Sequence, residues 1–160
     1  MLQVVILAGG LGTRLGKISE SIPKSLIEIN GKPMLSHILN WAQQQGCVRA
    51  LILTGHLGEM FDGFSHDGMM LTFCQETVPL GTGGALWNSR EYLEDEFILL
   101  WGDDFHPIDY QKLIATHREK MSALTMIVTE SHHDLNLKHE GGKVVAYNKE
   151  EADSEFNGYE

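Results

Sequence analysis

The sequence has little of what marks a secreted or membrane-spanning protein. It holds only two cysteines, Cys47 and Cys74. Their spacing fits no metal site, so we expect two reduced, buried thiols in a cytosolic protein rather than a disulfide. No apolar run approaches the roughly 18 residues of a membrane span, and no charged leader precedes the first apolar segment. We therefore expect a cytoplasmic protein without a signal peptide.

Basic residues are also scarce. The chain has 12 Lys and Arg against 22 Asp and Glu, a formal net charge of −10. Such a balance repels a phosphate backbone, so neither nucleic acid nor an anionic membrane is an expected partner. A local pocket of amides and cations can still bind a small phosphate. The length of 160 residues suits one domain, residues 1–160.

Short apolar runs alternate with helical patterns along the chain. Strands are predicted over 4–8, 50–54, 70–74, 97–101 and 124–129, with an edge strand over 144–147. An apolar stripe at Leu35, Ile38, Leu39 and Ala42 predicts a helix with Pro33 in its first turn and Gly46 at its end. Further helices are predicted over 84–92 and 110–120. This alternation indicates an α/β sandwich with a mainly parallel sheet.

Two polar segments follow predicted strands directly. Gly9-Gly10 comes after the first strand and Asp103-Asp104 after the strand over 97–101. Parallel sheets bind ligands at the carboxyl ends of their strands, so these segments can meet in one crevice.

The first loop contains Gly9, Gly10 and Gly12, followed by Arg14 and Lys24. Closely spaced glycines let successive N–H groups converge on phosphate oxygens, and the two cations would add charge. The spacing fits neither the dinucleotide fingerprint nor the P-loop, because leucine occupies positions 15 and 11 where these motifs need glycine. A glycine-rich turn with two solvated cations is the alternative.

Three segments carry a family resemblance. They are Ala8-Gly9-Gly10-Leu11-Gly12-Thr13-Arg14-Leu15 with Pro23-Lys24, then Pro79-Leu80-Gly81-Thr82-Gly83-Gly84-Ala85-Leu86, then Gly102-Asp103. In this order the chain resembles the sugar-phosphate nucleotidyltransferases over roughly residues 3–110, and its second loop resembles the guanylyltransferases of mannose- or heptose-type 1-phosphates. The resemblance implies a Rossmann-like three-layer catalytic domain. It also implies magnesium-dependent transfer of a nucleoside monophosphate from a nucleoside triphosphate to a sugar 1-phosphate, with release of pyrophosphate.

The resemblance also assigns roles to residues. Arg14 would stabilise the departing pyrophosphate and Lys24 the α-phosphate. Asp103 would hold Mg²⁺, with Asp104 as the alternative ligand. The amides of Gly9 to Thr13 would wrap the triphosphate, and the second loop would receive the base. The nucleotide-binding residues would be Leu7, Ala8, Gly9, Gly10, Leu11, Gly12, Thr13, Glu76, Gly81 and Thr82.

The same resemblance implies that the base-reading side chain is either Glu76 or Gln75, with a solvent-exposed Glu76 as the alternative. A carboxylate at this position only accepts hydrogen bonds, which favours the two adjacent donors of guanine and hence GTP. Two alternatives stay open. One is a cytidylyl- or uridylyltransferase acting on a sugar phosphate or a phosphocholine-like acceptor, and the other is a non-catalytic nucleotide-binding subunit.

The chain departs from the family in length. Family members run well beyond 200 residues, and a later strand normally supplies a second metal-binding aspartate. We therefore expect a fragment that lacks the C-terminal part of the fold. The assembly state is open, with a homo-oligomer among the options. We expect Trp41, Trp87 and Trp101 in the core, and we do not favour a transition-metal site at His132, His133 and His139.

Overall fold

The computed structural model describes residues 2–10, 12, 21–130, 135–148 and 155–159. The predicted site residues Leu11, Thr13 and Arg14 lie outside the described residues, as do His132 and His133. The chain divides into two compact units, Met1–Asp109 and Tyr110–Glu160.

A parallel sheet forms the centre of the first unit. In chain order this unit contains β1 (Gln3–Leu7), the short hairpin strands β2 (Glu28–Ile29) and β3 (Lys32–Pro33), α1 (Met34–Gln44), β4 (Arg49–Thr54), β5 (Met70–Gln75), α2 (Gly81–Asn88) and β6 (Phe97–Trp101). The sheet has the strand order β5-β4-β1-β6, and every pair in it is parallel. The predicted α/β fold with a mainly parallel sheet is confirmed.

Both faces of this sheet are covered, which explains the continuous apolar runs over 4–7 in β1 and 50–53 in β4. On one face Val5, Leu51 and Leu53 form a buried cluster with Ala85 and Leu86 of α2. Side chains alternate along a strand, so the neighbouring residues face the other way. Val4, Ile6 and Ile52 on that opposite face are fully buried.

The helix α1 follows its predicted pattern. Pro33 was expected in its first turn but is the residue just before Met34, with a non-helical ψ of 143°. Gly46 has a φ of +89°, a left-handed conformation typical of the residue after a helix. Its buried residues are Leu35, Ile38, Leu39 and Ala42, as predicted.

The helix α2 differs from the predicted range of 84–92. It begins at Gly81 and ends at Asn88, and the hydroxyl of Ser89 shares its hydrogen bond between the carbonyls of Ala85 and Leu86 at 2.9 and 3.1 Å. A short 3₁₀ turn, Arg90–Tyr92, follows. Residues 84–92 are therefore two short elements rather than one helix.

The second unit contains α3 (Tyr110–Lys120) and an antiparallel hairpin of β7 (Leu137–Glu140) and β8 (Lys143–Tyr147). The predicted helix over 110–120 and strand over 144–147 are confirmed. The strand predicted over 124–129 is wrong. Leu124 and Ile127 are 72% and 50% exposed, and among the described residues the segment makes a single bridge, from Thr129 to Tyr159.

Two expectations about individual side chains need correction. Both cysteines are free thiols, and burial raises the pKa of Cys47, but Cys74 is only half-buried. Trp87 is not in the core, since it is 71% exposed with the Arg90 guanidinium 4.9 Å above its ring. In the part of the chain that the structure describes, no helix has the length and hydropathy to cross a membrane.

Candidate functional site

The strands of the parallel sheet end level with one another. Leu7 pairs with Leu53 on one side and Trp101 on the other. Hydrogen bonds of 2.8 Å continue this alignment by one residue, from the Ala8 amide to the Leu53 carbonyl and from the Gly102 amide to the Leu7 carbonyl. The segments after β1 and β6, about 90 positions apart in the printed sequence, therefore lie side by side.

A cavity of about 300 Å³ opens at this edge of the sheet. Its lining includes the predicted residues Leu7, Ala8, Gly9, Gly10, Lys24, Glu76, Gly81, Thr82 and Asp103. Gly12, with a φ of +70°, is not among the lining residues. The structure thus brings together the first glycine loop, the second glycine loop and the turn after β6.

A cation and an acid face each other in this cavity. Lys24 begins the 3₁₀ turn Lys24–Leu26, and Asp103 follows β6. The Lys24 Nζ lies 3.0 Å from Oδ2 of Asp103, and the two side chains are 25% and 40% exposed. The pair places one positive and one negative group within reach of the same small ligand.

The carboxylate of Glu76 lies against the backbone of the first loop. A methyl group on Gly9 would come within 3.2 Å of its Oε1, and one on Gly55 within 3.1 Å. Its Oε2 accepts a hydrogen bond of 3.2 Å from the Leu80 amide, just before α2. Glycine at positions 9 and 55 is what lets this side chain lie so close to the strand ends.

Gln75 is placed differently from Glu76. Its amide donates to the Gly55 carbonyl at 3.4 Å, and its side chain lies where a methyl group on Gly58 would have to be. It does not line the cavity. Of the two alternatives for the base-reading side chain, the geometry favours Glu76.

Gly102 is the tightest point between the ends of β1 and β6. A methyl group there would lie 3.0 Å from the Leu7 carbonyl oxygen, 3.2 Å from Cβ of Ser25 and 3.3 Å from Cβ of Ala8. Two of these neighbours are fixed by the sheet, so they cannot easily move. The absence of a side chain at position 102 is what allows Asp103 to approach the first loop.

We expect Gly102→Ala to lower the free energy of unfolding by about 1–3 kcal/mol, because overpacking forces the strand ends apart. Urea denaturation followed by circular dichroism measures this. Gly83→Ala is the matched control: a methyl group there meets nothing within 4 Å, and alanine favours the helix. Equal changes in the free energy of unfolding of the two variants would contradict the claim that Gly102 is tightly packed between the ends of β1 and β6.

The segment after Asp103 is held by α1. The Trp41 indole donates to the Ile108 carbonyl at 3.0 Å, and its ring meets Phe105 edge-on with the centroids 6.3 Å apart. Within that segment Asp104 pairs with His106 at 2.9 Å and is not among the cavity-lining residues. Of the two acids in this turn, Asp103 lines the cavity and Asp104 does not.

Some lining residues were not foreseen from the sequence. They are Ser25, Leu53, Thr54, Cys74, Asn88 and Trp101, whereas Pro79, Ala85 and Gly102 lie within the quoted motifs and had no individual role assigned. Trp101 was expected in the core but is 39% exposed at the cavity. The sequence feature that could have placed Trp101 at the cavity is its position as the last residue of an apolar strand, directly before Gly102-Asp103.

The site and the fold agree with a known family. The chain belongs to the nucleotidyl transferase family, whose model matches residues 3–141. It is 36% identical over 115 residues to D-glycero-alpha-D-manno-heptose 1-phosphate guanylyltransferase of Campylobacter jejuni, a match that covers 70% of this chain and 52% of that protein. It is 26% identical over 132 residues to the UTP–glucose-1-phosphate uridylyltransferase AglF of Haloferax volcanii, covering 81% of this chain and 54% of that protein.

A solved structure shows the same arrangement of the chain. HddC from Yersinia pseudotuberculosis, complexed with GMP-PN, matches with a TM-score of 0.65 and 36% identity over 73% of this chain and 54% of HddC. The chain spans about half the length of the curated relatives it matches.

Proposed function

We propose that the cavity binds a nucleoside triphosphate and that the protein transfers its nucleoside monophosphate to a sugar 1-phosphate, forming an NDP-sugar and releasing pyrophosphate. The observation that carries the proposal is the Lys24–Asp103 pair, 3.0 Å apart beside the Gly9-Gly10 backbone. A cation for phosphate and a carboxylate for a metal are what this transfer needs in one place.

The phosphates bind along the first glycine loop in this proposal. Gly9 and Gly10 line the cavity, and a methyl group on Gly10 would meet nothing within 4 Å, so a ligand can approach this backbone closely. Lys24 neutralises the α-phosphate. Leu11, Gly12, Thr13 and Arg14 keep the roles that the sequence motif gives them, with Arg14 stabilising the pyrophosphate.

Asp103 is the proposed ligand of Mg²⁺. Members of the family generally use a divalent metal ion. Among the described residues there is no group of three or more metal-binding side chains. That suits Mg²⁺, which takes one or two carboxylates and completes its shell with phosphates and water. When bound, the ion neutralises charge on the reacting phosphates.

The reaction needs no nucleophile from the protein. The sugar-phosphate oxygen is already anionic at neutral pH and attacks the α-phosphorus directly. The new P–O bond forms as the bond to pyrophosphate breaks, and no proton has to be removed. The task of Lys24 and the loop amides is alignment and charge neutralisation.

GTP is the proposed nucleotide because of Glu76. Its carboxylate has about four acceptor positions and uses one on the Leu80 amide. The remaining positions can accept from the two adjacent donors of guanine. Uracil and thymine present a donor flanked by acceptors, which a carboxylate repels. The guanylyltransferase relative and the GMP-PN complex support the same choice.

We expect Glu76→Gln to reduce the preference for GTP over UTP by about tenfold or more, since hydrogen bonds to a charged acceptor are the strong ones. Isothermal titration with each nucleotide and Mg²⁺ measures the ratio. Gln75→Ala is the comparison variant and should leave the ratio unchanged. If Gln75→Ala shifts the ratio and Glu76→Gln does not, the assignment of the base-reading residue is wrong.

Pyrophosphate release tests the proposal as a whole. GTP, Mg²⁺ and mannose 1-phosphate or a heptose 1-phosphate should together give release, and omission of any one should stop it. Under saturating nucleotide, at about 100 times Kd, binding should add about 2.7 kcal/mol to stability. Release with UTP or CTP but not GTP would favour the uridylyl or cytidylyl alternative. Nucleotide binding without release would favour a non-catalytic subunit.

A further inference from the structure

Ser25 carries a buried hydroxyl that the fold does not use. The residue is 2% exposed, and its Oγ has no hydrogen-bond partner among the described residues. Buried hydroxyls in proteins are nearly always paired, because an unpaired one loses its hydrogen bonds to water without replacement. An exception at a cavity therefore calls for a specific explanation.

The surroundings of Ser25 show which ligand could provide the missing bond. Ser25 lines the cavity between Lys24 and Gly102, with its Cβ 3.2 Å from where a methyl group on Gly102 would be. The nearby amides are already committed: Gly102 donates to Leu7, and Leu26 donates to Pro23. Among the described residues the hydroxyl has no partner of either kind, and Lys24, the preceding residue, lines the same cavity.

We infer that the Ser25 hydroxyl donates a hydrogen bond to a phosphate oxygen of a substrate bound in the cavity. This rests on the proposed function. A phosphate oxygen supplies the acceptor that the described residues do not provide, and Lys24, which lines the same cavity, supplies the opposite charge. Alanine would fill the same space without the cost of an unpaired hydroxyl, so a role in packing alone does not account for serine.

The test is Ser25→Ala in the full chain, titrated with GTP and Mg²⁺, with mannose 1-phosphate, and with guanosine as a probe without phosphate. We expect the Kd of at least one phosphate compound to rise about tenfold, since the lost bond is to a charged acceptor. The compound that is affected identifies whose phosphate is bound. Guanosine affinity should not change. The melting temperature without ligand should stay equal or rise, because an unpaired buried group has been removed.

Ser89→Ala is the matched control. Ser89 is also fully buried, but its hydroxyl donates to two carbonyls, those of Ala85 and Leu86. It is not among the cavity-lining residues. Ser89→Ala should lower the melting temperature and leave the affinity for every compound unchanged. This pattern is the opposite of the one expected for Ser25→Ala.

Two results would overturn this inference and leave the proposed function standing. In one, Ser25→Ala binds both phosphate compounds with wild-type affinity. In the other, its melting temperature falls and its affinity for guanosine falls as much as its affinity for the phosphate compounds. If the wild-type protein binds neither phosphate compound, the proposed function and the inference fail together.

Discussion

Lys24→Met should lower the rate of pyrophosphate release by roughly 10²–10³, the usual cost of removing one group that stabilises a charged transition state. Methionine keeps the aliphatic length of lysine but removes its charge. In the wild type Lys24 neutralises the Asp103 carboxylate from 3.0 Å away. Without that cation, the carboxylate would repel the phosphates. Affinity for GTP with Mg²⁺ should weaken as well.

The fold should tolerate this change, because a partly exposed ion pair contributes only about 0–1 kcal/mol. Arg49→Met is the matched control. Arg49 forms an ion pair of 2.6 Å with Glu94, but it begins β4 and therefore lies at the opposite end of the strands from the cavity. That variant should keep the wild-type rate and lose little stability. A near-normal rate in Lys24→Met would remove Lys24 from the mechanism.

Asp103→Asn should abolish the dependence of nucleotide binding and transfer on Mg²⁺. An amide is a much poorer ligand for this ion than a carboxylate, so transfer should fall by roughly two orders of magnitude or more. The affinity for GTP in the absence of metal should change in the opposite direction. It should stay equal or become tighter, because a negative charge has left the cavity and Lys24 is no longer paired.

Asp104→Asn separates the two acids of the turn. Asp104 is 61% exposed at its side chain and pairs with His106. Asp104→Asn should retain the dependence on Mg²⁺ and most of the rate of pyrophosphate release, as measured by titrating Mg²⁺ in the pyrophosphate-release assay. If Asp104→Asn loses the metal dependence and Asp103→Asn keeps it, the two roles must be exchanged.

Much of the central fold could be predicted because its two inner strands, β1 and β4, are buried on both faces. Continuous apolar runs marked β1, β4, β5 and β6, and the stripe of α1 has a clear helical period. The run over 124–129 is equally apolar but formed no strand, because hydrophobicity does not supply a partner strand. The missed strand β7, with the sequence LKHE, gains its pairing from β8 and has no apolar run of its own.

The site was predicted in outline for a topological reason. Gly9 and Asp103 follow parallel strands, and parallel strands present their carboxyl ends at one edge. The sequence does not reveal that β1 lies between β4 and β6, since that order depends on contacts between distant segments. It also could not show that Ser25 would line the cavity, because the contact of Ser25 with Gly102 joins segments that are far apart in the sequence.

The most direct test of the account is a crystal structure of the protein soaked with GTP and Mg²⁺. We expect the triphosphate against the Gly9-Gly10 backbone, the α-phosphate beside Lys24, the metal on Asp103 and guanine beside Glu76. A nucleotide bound elsewhere, or one whose phosphates lie away from Lys24 and Asp103 while the cavity stays empty, would contradict it.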